Sequence, residues 1–283
     1  MKKKYKYYIK DYDEELVVRT RIPKKNRILI AIFSVILCAS ITGLGIIGYN
    51  YLSARKTYVD TSNKFTIKTK KFGVKNKIDF AGLKKINPDV VGWIDFKNEP
   101  SVIKYPVVKG KDNDYYLTHT FDKKRLGSAS IFMDCINNAS FYDYNTILYG
   151  HNMNDKSMFA GLRYYVYKDR QDYFNANSDF YIYAPLPGGK NVRYKYHIFS
   201  AYTIDAAKDK TPYLVFTQNG YNEDYINWAE KMQQKSVIKS VYDIRSILTN
   251  SRARIITMST CTNTTETGRI IVHAVLTDTI EIQ

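Results

Sequence analysis

Three residues in this sequence combine types and spacing that could carry out chemistry together: Cys261, Arg269 and His151. Cys261 ends the apolar, β-branched run Ile255-Ile256-Thr257-Met258-Ser259-Thr260-Cys261, and Arg269 opens the next such run eight residues later, ahead of Ile270-Ile271-Val272. Two strands joined by a polar loop would set a thiol beside a fixed cation. An ordinary cysteine thiol, with a pKa near 8.5, is mostly protonated at neutral pH, and a neighbouring cation or imidazolium raises its thiolate fraction. The same arginine can donate to an oxyanion as a carbonyl is attacked. His151 follows a strand directly, in Leu148-Tyr149-Gly150-His151-Asn152-Met153, with Gly150 letting the backbone turn and place the ring at a strand end. A nucleophile, a proton carrier and a cation on one rim of a closed sheet would suit cysteine acyl transfer. Spacing alone also allows Cys261 to be a small buried hydrophobe, His151 a structural residue and Arg269 a solvated cation.

The elements that must position these residues read mainly as β-structure. The chain has 283 residues, 45% of them hydrophobic and 14% aromatic, which is enough for a sizeable core. Its 26 tyrosines suit half-exposed sheet faces. Short apolar runs at Val90–Ile94, Val102–Val108, Ala129–Met133 and Thr146–Gly150, separated by Gly, Asn and Asp, predict the strands of a barrel or sandwich. Phe180–Tyr183 and Tyr194–Ile204 flank a hairpin loop at Pro185-Leu186-Pro187-Gly188-Gly189. Helices are predicted over Asp79–Ile86, Ser157–Tyr167 and Glu223–Met232, the last in a long connection before the cysteine strand. His119 and His197 lack a partner motif, His273 sits inside a predicted strand, and Cys135 reads as a bystander. Three cysteines make no even disulfide framework. No Cys/His spacing suits zinc and no glycine-rich loop suits a phosphate, so neither a metal nor another cofactor is expected.

Ile28 to Tyr49 is 22 residues without a charge, long enough to cross a hydrocarbon core of about 30 Å. Residues 1–27 hold ten Lys and Arg against four acids, a net +6, so this tail is expected to stay in the cytoplasm and everything after the span outside the cell. A cleavable signal peptide would have a shorter apolar region and a small-residue cleavage site, which Tyr49 does not precede. The expected organisation is a basic cytoplasmic tail (1–27), a transmembrane helix (28–49), a polar extracytoplasmic stalk (50–76) and a catalytic domain (77–283). The net charge of +16 is spread along the chain with no nucleic-acid motif; a surface facing anionic lipid or wall polymer accounts for it, and no nucleic-acid partner is expected.

At these residues the sequence resembles the sortases, membrane-anchored cysteine transpeptidases of Gram-positive bacteria. Thr257-Met258-Ser259-Thr260-Cys261 resembles the family's Thr-Leu-Ser-Thr-Cys strand, with Met for Leu; Tyr149–Met153 resembles its histidine motif and Gly268–Val272 its arginine strand. Similarity to class B members runs through Val91–Ile94, Tyr105–Val108, Asp112–Leu117, Ser130–Asp134 and the helix from Glu223. The resemblance implies a closed eight-stranded β-barrel. It also implies an enzyme that cleaves a C-terminal sorting signal, of the Asn-Pro-x-Thr kind, on secreted surface proteins and passes the acyl group to the amine of a lipid-linked peptidoglycan precursor. Cys261 would be the nucleophile, His151 the general acid and base, and Arg269 the oxyanion partner. Ser259, Thr260, Asn152 and Tyr225 are candidate substrate contacts, and the loop from Thr262 to Gly268 a candidate wall of the groove. No cofactor is implied, and calcium activation has no evident acidic cluster here. An L,D-transpeptidase would show a Ser-x-Gly-Cys context, which Ser259-Thr260-Cys261 does not match. The alternatives are a pilus-assembling sortase and a non-catalytic tethered β-domain that binds anionic wall polymer.

Overall fold

The computed structural model describes residues 7–9, 17–19, 23–69, 73–74, 76–98, 101–126, 129–209, 215–216, 221–262 and 264–282. The remaining residues of the basic tail lie outside that set. The chain divides into two compact units, Met1–Tyr49 and Asn50–Gln283. The first holds a two-stranded antiparallel pair, Tyr7–Ile9 with Val17–Arg19, and the start of helix α1, Lys24–Phe65. In its apolar stretch Ile28, Phe33, Leu37, Ile41 and Leu44 are all exposed, and by length and composition the helix is a candidate membrane span.

The second unit is a barrel built from eight strands: β1 (Val90–Asn98), β2 (Ser101–Lys109), β3 (Ile131–Met133), β4 (Asn145–Tyr149), β5 (Asp179–Pro185), β6 (Asn191–Asp205), β7 (Ile255–Cys261) and β8 (Gly268–Ile282). It closes in the order β6-β8-β7-β4-β3-β2-β1-β5, with β5 pairing back onto β6. The β2/β3 and β4/β7 pairs are parallel, while every other neighbouring pair is antiparallel. The barrel expected from the resemblance is therefore present. Sequence signals for strands fall on real strands; those for β1, β2, β5 and β6 stop short of the strand ends, because a ladder continues as long as a partner is available, whereas those for β3 and β4 run one or two residues past an end.

Strands β7 and β8 are buried on both faces, and the period of two sorts their side chains. Ile256, Met258, Ile270 and Val272 enter the main core with Trp93 and Phe96. Ile255, Ile271 and Val275 enter a second core beneath helices α4 (Glu223–Gln234) and α5 (Ile244–Ser251), among Phe199, Tyr225 and Trp228. Asn222 caps α4 by accepting from Tyr225 N at 3.0 Å, and Asp243 caps α5 by accepting from Arg245 N at 3.1 Å. Helix α2 (Phe80–Ile86) starts at Asp79, which accepts from Gly82 N at 2.9 Å, and stops before Pro88. Helix α3 (Arg170–Ala176) and α5 are not among the helices expected from the sequence, although Asp243 gives α5 an N-cap. The predicted helix at Ser157–Tyr167 is a 3₁₀ segment, Phe159–Tyr165.

Residues 50–65, expected as part of a polar stalk, are the helical continuation of α1, with Tyr58, Thr61 and Phe65 buried. The spacing of three and four is a helical stripe, masked in the sequence because Thr fills its middle position. Tyr58 donates to the Ala129 carbonyl and packs edge-on against Tyr105 at 5.0 Å. Burying each of these two aromatic side chains stabilises by about 2–3 kcal/mol.

Candidate active site

The strand register brings the three chemical residues together. Cys261 lies directly opposite Arg269 in the β7/β8 pair, so both side chains leave the same face with Cβ atoms about 5 Å apart. In the parallel β4/β7 pair Ser259 lies opposite Tyr149. Counting in twos, Tyr149 and His151 share the face of Ser259 and Cys261. His151, Cys261 and Arg269 all line one cavity of about 320 Å³, together with Tyr149, Gly150, Ser259 and Thr260. All three are half-buried, reachable from solvent yet held by neighbours.

The Leu117 carbonyl accepts from His151 Nε2 at 2.8 Å. A carbonyl cannot donate, so the ring proton sits on Nε2 and Nδ1 is left to take up a second proton. Gly150 is required by packing. A Cβ there would meet Phe159 Cδ2 at 2.8 Å and Cγ at 2.9 Å, while its amide donates to the Ser259 carbonyl at 3.3 Å. Arg269 Nη1 donates to the carbonyls of Glu266 and Gly268, both at 2.9 Å. These bonds anchor the guanidinium and leave Nε and Nη2 without a protein partner among the described residues.

The remaining candidates separate. Ser259 and Thr260 line the cavity, although both are nearly buried. Asn152 does not line it: its Nδ2 donates to the Cys261 carbonyl at 2.8 Å, and its Oδ1 accepts from Arg163 Nη2 at 2.6 Å. Tyr225 is corrected outright. It is fully buried in the second core, its hydroxyl bonded to the Tyr144 and Ala253 carbonyls, because it occupies the inward stripe of α4. No described residue of the 262–268 loop lines the cavity; Asn113, Asp114, Leu117 and Phe132 do instead. Tyr149 OH and Asn113 Nδ2 both donate to Asp134 Oδ2, at 2.9 and 3.0 Å, tying that wall to β4. Arg163 was not foreseeable, since nothing near it in sequence says that its guanidinium reaches the loop after His151.

The other histidines and cysteines lie elsewhere. His273 is fully buried between Thr257 Oγ1 (2.8 Å) and Tyr202 OH (2.9 Å), and burial pushes its pKa down to about 3. His197 contacts Asp179 at 2.6 Å, and His119 stacks on Tyr115. All three cysteines are free.

The sortase domain family matches residues 99–277. Sortase B of Listeria monocytogenes is 36% identical over 198 residues, covering 69% of this chain and 72% of its own length. Sortase B of Staphylococcus aureus is 32% identical over 222 residues, covering 78% and 83%. The structure of Clostridium perfringens sortase B superposes with a TM-score of 0.59 at 37% identity, covering 70% of this chain and 99% of that one. The chain belongs to the sortase family, whose members are cysteine transpeptidases. Within that family its relatives are sortases of class B.

Proposed function

We propose that this chain is a class B sortase that cleaves a C-terminal sorting signal and transfers the freed acyl group to a wall-precursor amine. The observation that carries the reading is the Cys261–Arg269 cross-strand pair in one cavity with His151. Related structures point the same way: a Staphylococcus aureus sortase B has been solved as a substrate complex, and a sortase B in complex with triglycine.

In the first half-reaction the Cys261 thiolate attacks the carbonyl before the scissile bond. The free Nε and Nη2 donors of Arg269 face the developing oxyanion, at a point where fixed donors lower the barrier most. His151, protonated on both nitrogens, passes a proton to the departing amine, and a thioacyl enzyme remains. In the second half an incoming amine attacks the thioester, and His151 takes its proton as Cys261 leaves. Ser259 and Thr260 line the groove beside the acyl group.

Residues 28–49 would hold the enzyme in the membrane with the basic tail in the cytoplasm and the barrel outside, where secreted substrates and lipid-linked precursor meet. Incubating the full chain with a sorting-signal peptide and weighing the protein by mass spectrometry tests the chemistry. A thioacyl adduct on Cys261 is expected, and cleavage by Cys261→Ala would refute the nucleophile.

A further inference from the structure

Strand pairing fixes where the Arg269 side chain starts but not where its guanidinium ends. Its backbone is held opposite Cys261 in the β7/β8 ladder, while so long a side chain has several staggered torsions to choose among. The choice is made by two carbonyls, those of Glu266 and Gly268, which both accept from Arg269 Nη1 at 2.9 Å. Both belong to the loop between β7 and β8, so the aim of the guanidinium is only as fixed as that loop.

The residue between those two carbonyls, Thr267, is fastened from outside the loop. Its hydroxyl donates to Asp205 Oδ1 at 2.6 Å, and its carbonyl accepts from Ala206 N at 2.9 Å. Asp205 is the last residue of β6 and pairs with Gly268 at the final rung of the β6/β8 ladder. Beyond that rung the ladder stops, and a strand end with nothing past it frays at little cost. The Asp205–Thr267 bond lies just past the rung, on the side where the Glu266 carbonyl has to be held. Its carboxylate is itself set in place: Oδ1 also accepts from Ala207 N at 3.1 Å, and Oδ2 pairs with Lys208 at 3.4 Å. The Asp205 carbonyl accepts from Lys208 N at 3.0 Å and Asp209 N at 2.8 Å, closing the turn that follows β6. Within the loop, Thr262 N donates to the Gly268 carbonyl at 3.0 Å, and a side chain at Gly268 would run into the Thr262 and Thr265 hydroxyls.

We propose that Asp205 and Thr267 are positioning residues for the transfer reaction, their bond fixing the loop carbonyls that aim the Arg269 guanidinium at the developing oxyanion. The inference rests on the sortase reading of the site. A hydroxyl bonded to a carboxylate makes a charge-assisted link, stronger than the neutral bonds around it. Neither residue lines the cavity that holds Cys261. Their effect falls on the oxyanion, which exists only once the carbonyl is attacked, and so on kcat rather than KM.

The test uses the full chain in detergent micelles, assayed with a fluorogenic sorting peptide and, separately, with phenylglyoxal, which modifies accessible guanidinium groups and is read by peptide mass spectrometry. Thr267→Val removes the hydroxyl at nearly constant shape; kcat is expected to fall about tenfold, as for a displacement of about half an ångström, with KM within about twofold. Asp205→Ala should do the same, and the double variant no worse than either, since both delete one bond. Thr267→Ser keeps the donor and should bring kcat back to within about twofold of wild type. Arg269 should label faster in Thr267→Val and Asp205→Ala, while Arg163, held in the loop after His151, keeps its wild-type rate. Wild-type kcat in Thr267→Val, no recovery in Thr267→Ser, or equal acceleration at Arg163 and Arg269 would each overturn the positioning role alone. A wild-type chain that forms no thioacyl adduct with the peptide overturns the sortase reading and this role together.

Discussion

Asn152 joins the two strand ends that must meet for chemistry, so its removal should disturb catalysis without touching a reacting atom. Its Nδ2 donates to the Cys261 carbonyl at 2.8 Å, and its Oδ1 accepts from Arg163 Nη2 at 2.6 Å. Arg163 is itself tied to the same loop through the Met153 and Ala160 carbonyls, both at 2.9 Å. Asn152→Ala therefore deletes one neutral hydrogen bond, worth about 1 kcal/mol net, and one charge-assisted bond worth about 1.5–3 kcal/mol. The expected loss is about 2–4 kcal/mol, which for a domain of this size lowers the melting temperature by roughly 5–15 °C. The larger effect is on turnover. With the His151 loop released from the Cys261 strand end, a shift on the order of 1 Å should lower kcat for a fluorogenic sorting peptide by about 10²-fold. KM should change far less, since Asn152 does not line the cavity. Arg163→Ala and the double variant complete a cycle. Coupling of about 1–3 kcal/mol is expected for residues in direct contact. A kcat within twofold of wild type in Asn152→Ala, or near-zero coupling to Arg163, would show that the clamp does not position the site.

Arg269→Lys keeps a charge but loses the planar fork, and a severe fall in kcat is expected; turnover near wild type would remove Arg269 from the oxyanion role. Tyr58→Ala should cost about 3–5 kcal/mol of barrel stability in denaturant unfolding, by emptying a buried aromatic site, whereas a merely tethering segment would leave unfolding unchanged. His273 titrates at 6.5 in an unfolded chain but is held by burial at about 3, so unfolding takes up a proton between those values. Its contribution is therefore full above pH 6.5 and declines by about 1.4 kcal/mol per pH unit below it. His273→Gln should flatten the acid limb of a plot of melting temperature against pH, and superimposable profiles would contradict the assignment. Gly150→Ala should destabilise by about 1–3 kcal/mol through the clash with Phe159, measurable by calorimetry.

By itself the sequence determined what is local. The uncharged run of Ile28–Tyr49, the apolar β-branched runs of β7 and β8, and the Cys261–Arg269 spacing are all properties of neighbours along the chain, where propensity acts. Because β7 and β8 are joined by a short loop, their pairing, and with it the meeting of thiol and guanidinium, was nearly implied by position. His151 was different. It shares a cavity with Cys261 only because β4 and β7 pair in parallel across more than 100 residues of chain, and a parallel pair carries no turn signature to announce its register. The same holds for the Leu117 carbonyl that sets the ring's tautomer and for Arg163, which are brought to the site by barrel closure. Tyr225 shows the converse. It stands on a correctly expected helix, yet the stripe it occupies faces a second core rather than the groove. In the segment beyond the span, Thr61 breaks the apolar stripe between Tyr58 and Phe65, so only packing against the barrel made it a helix with a buried face.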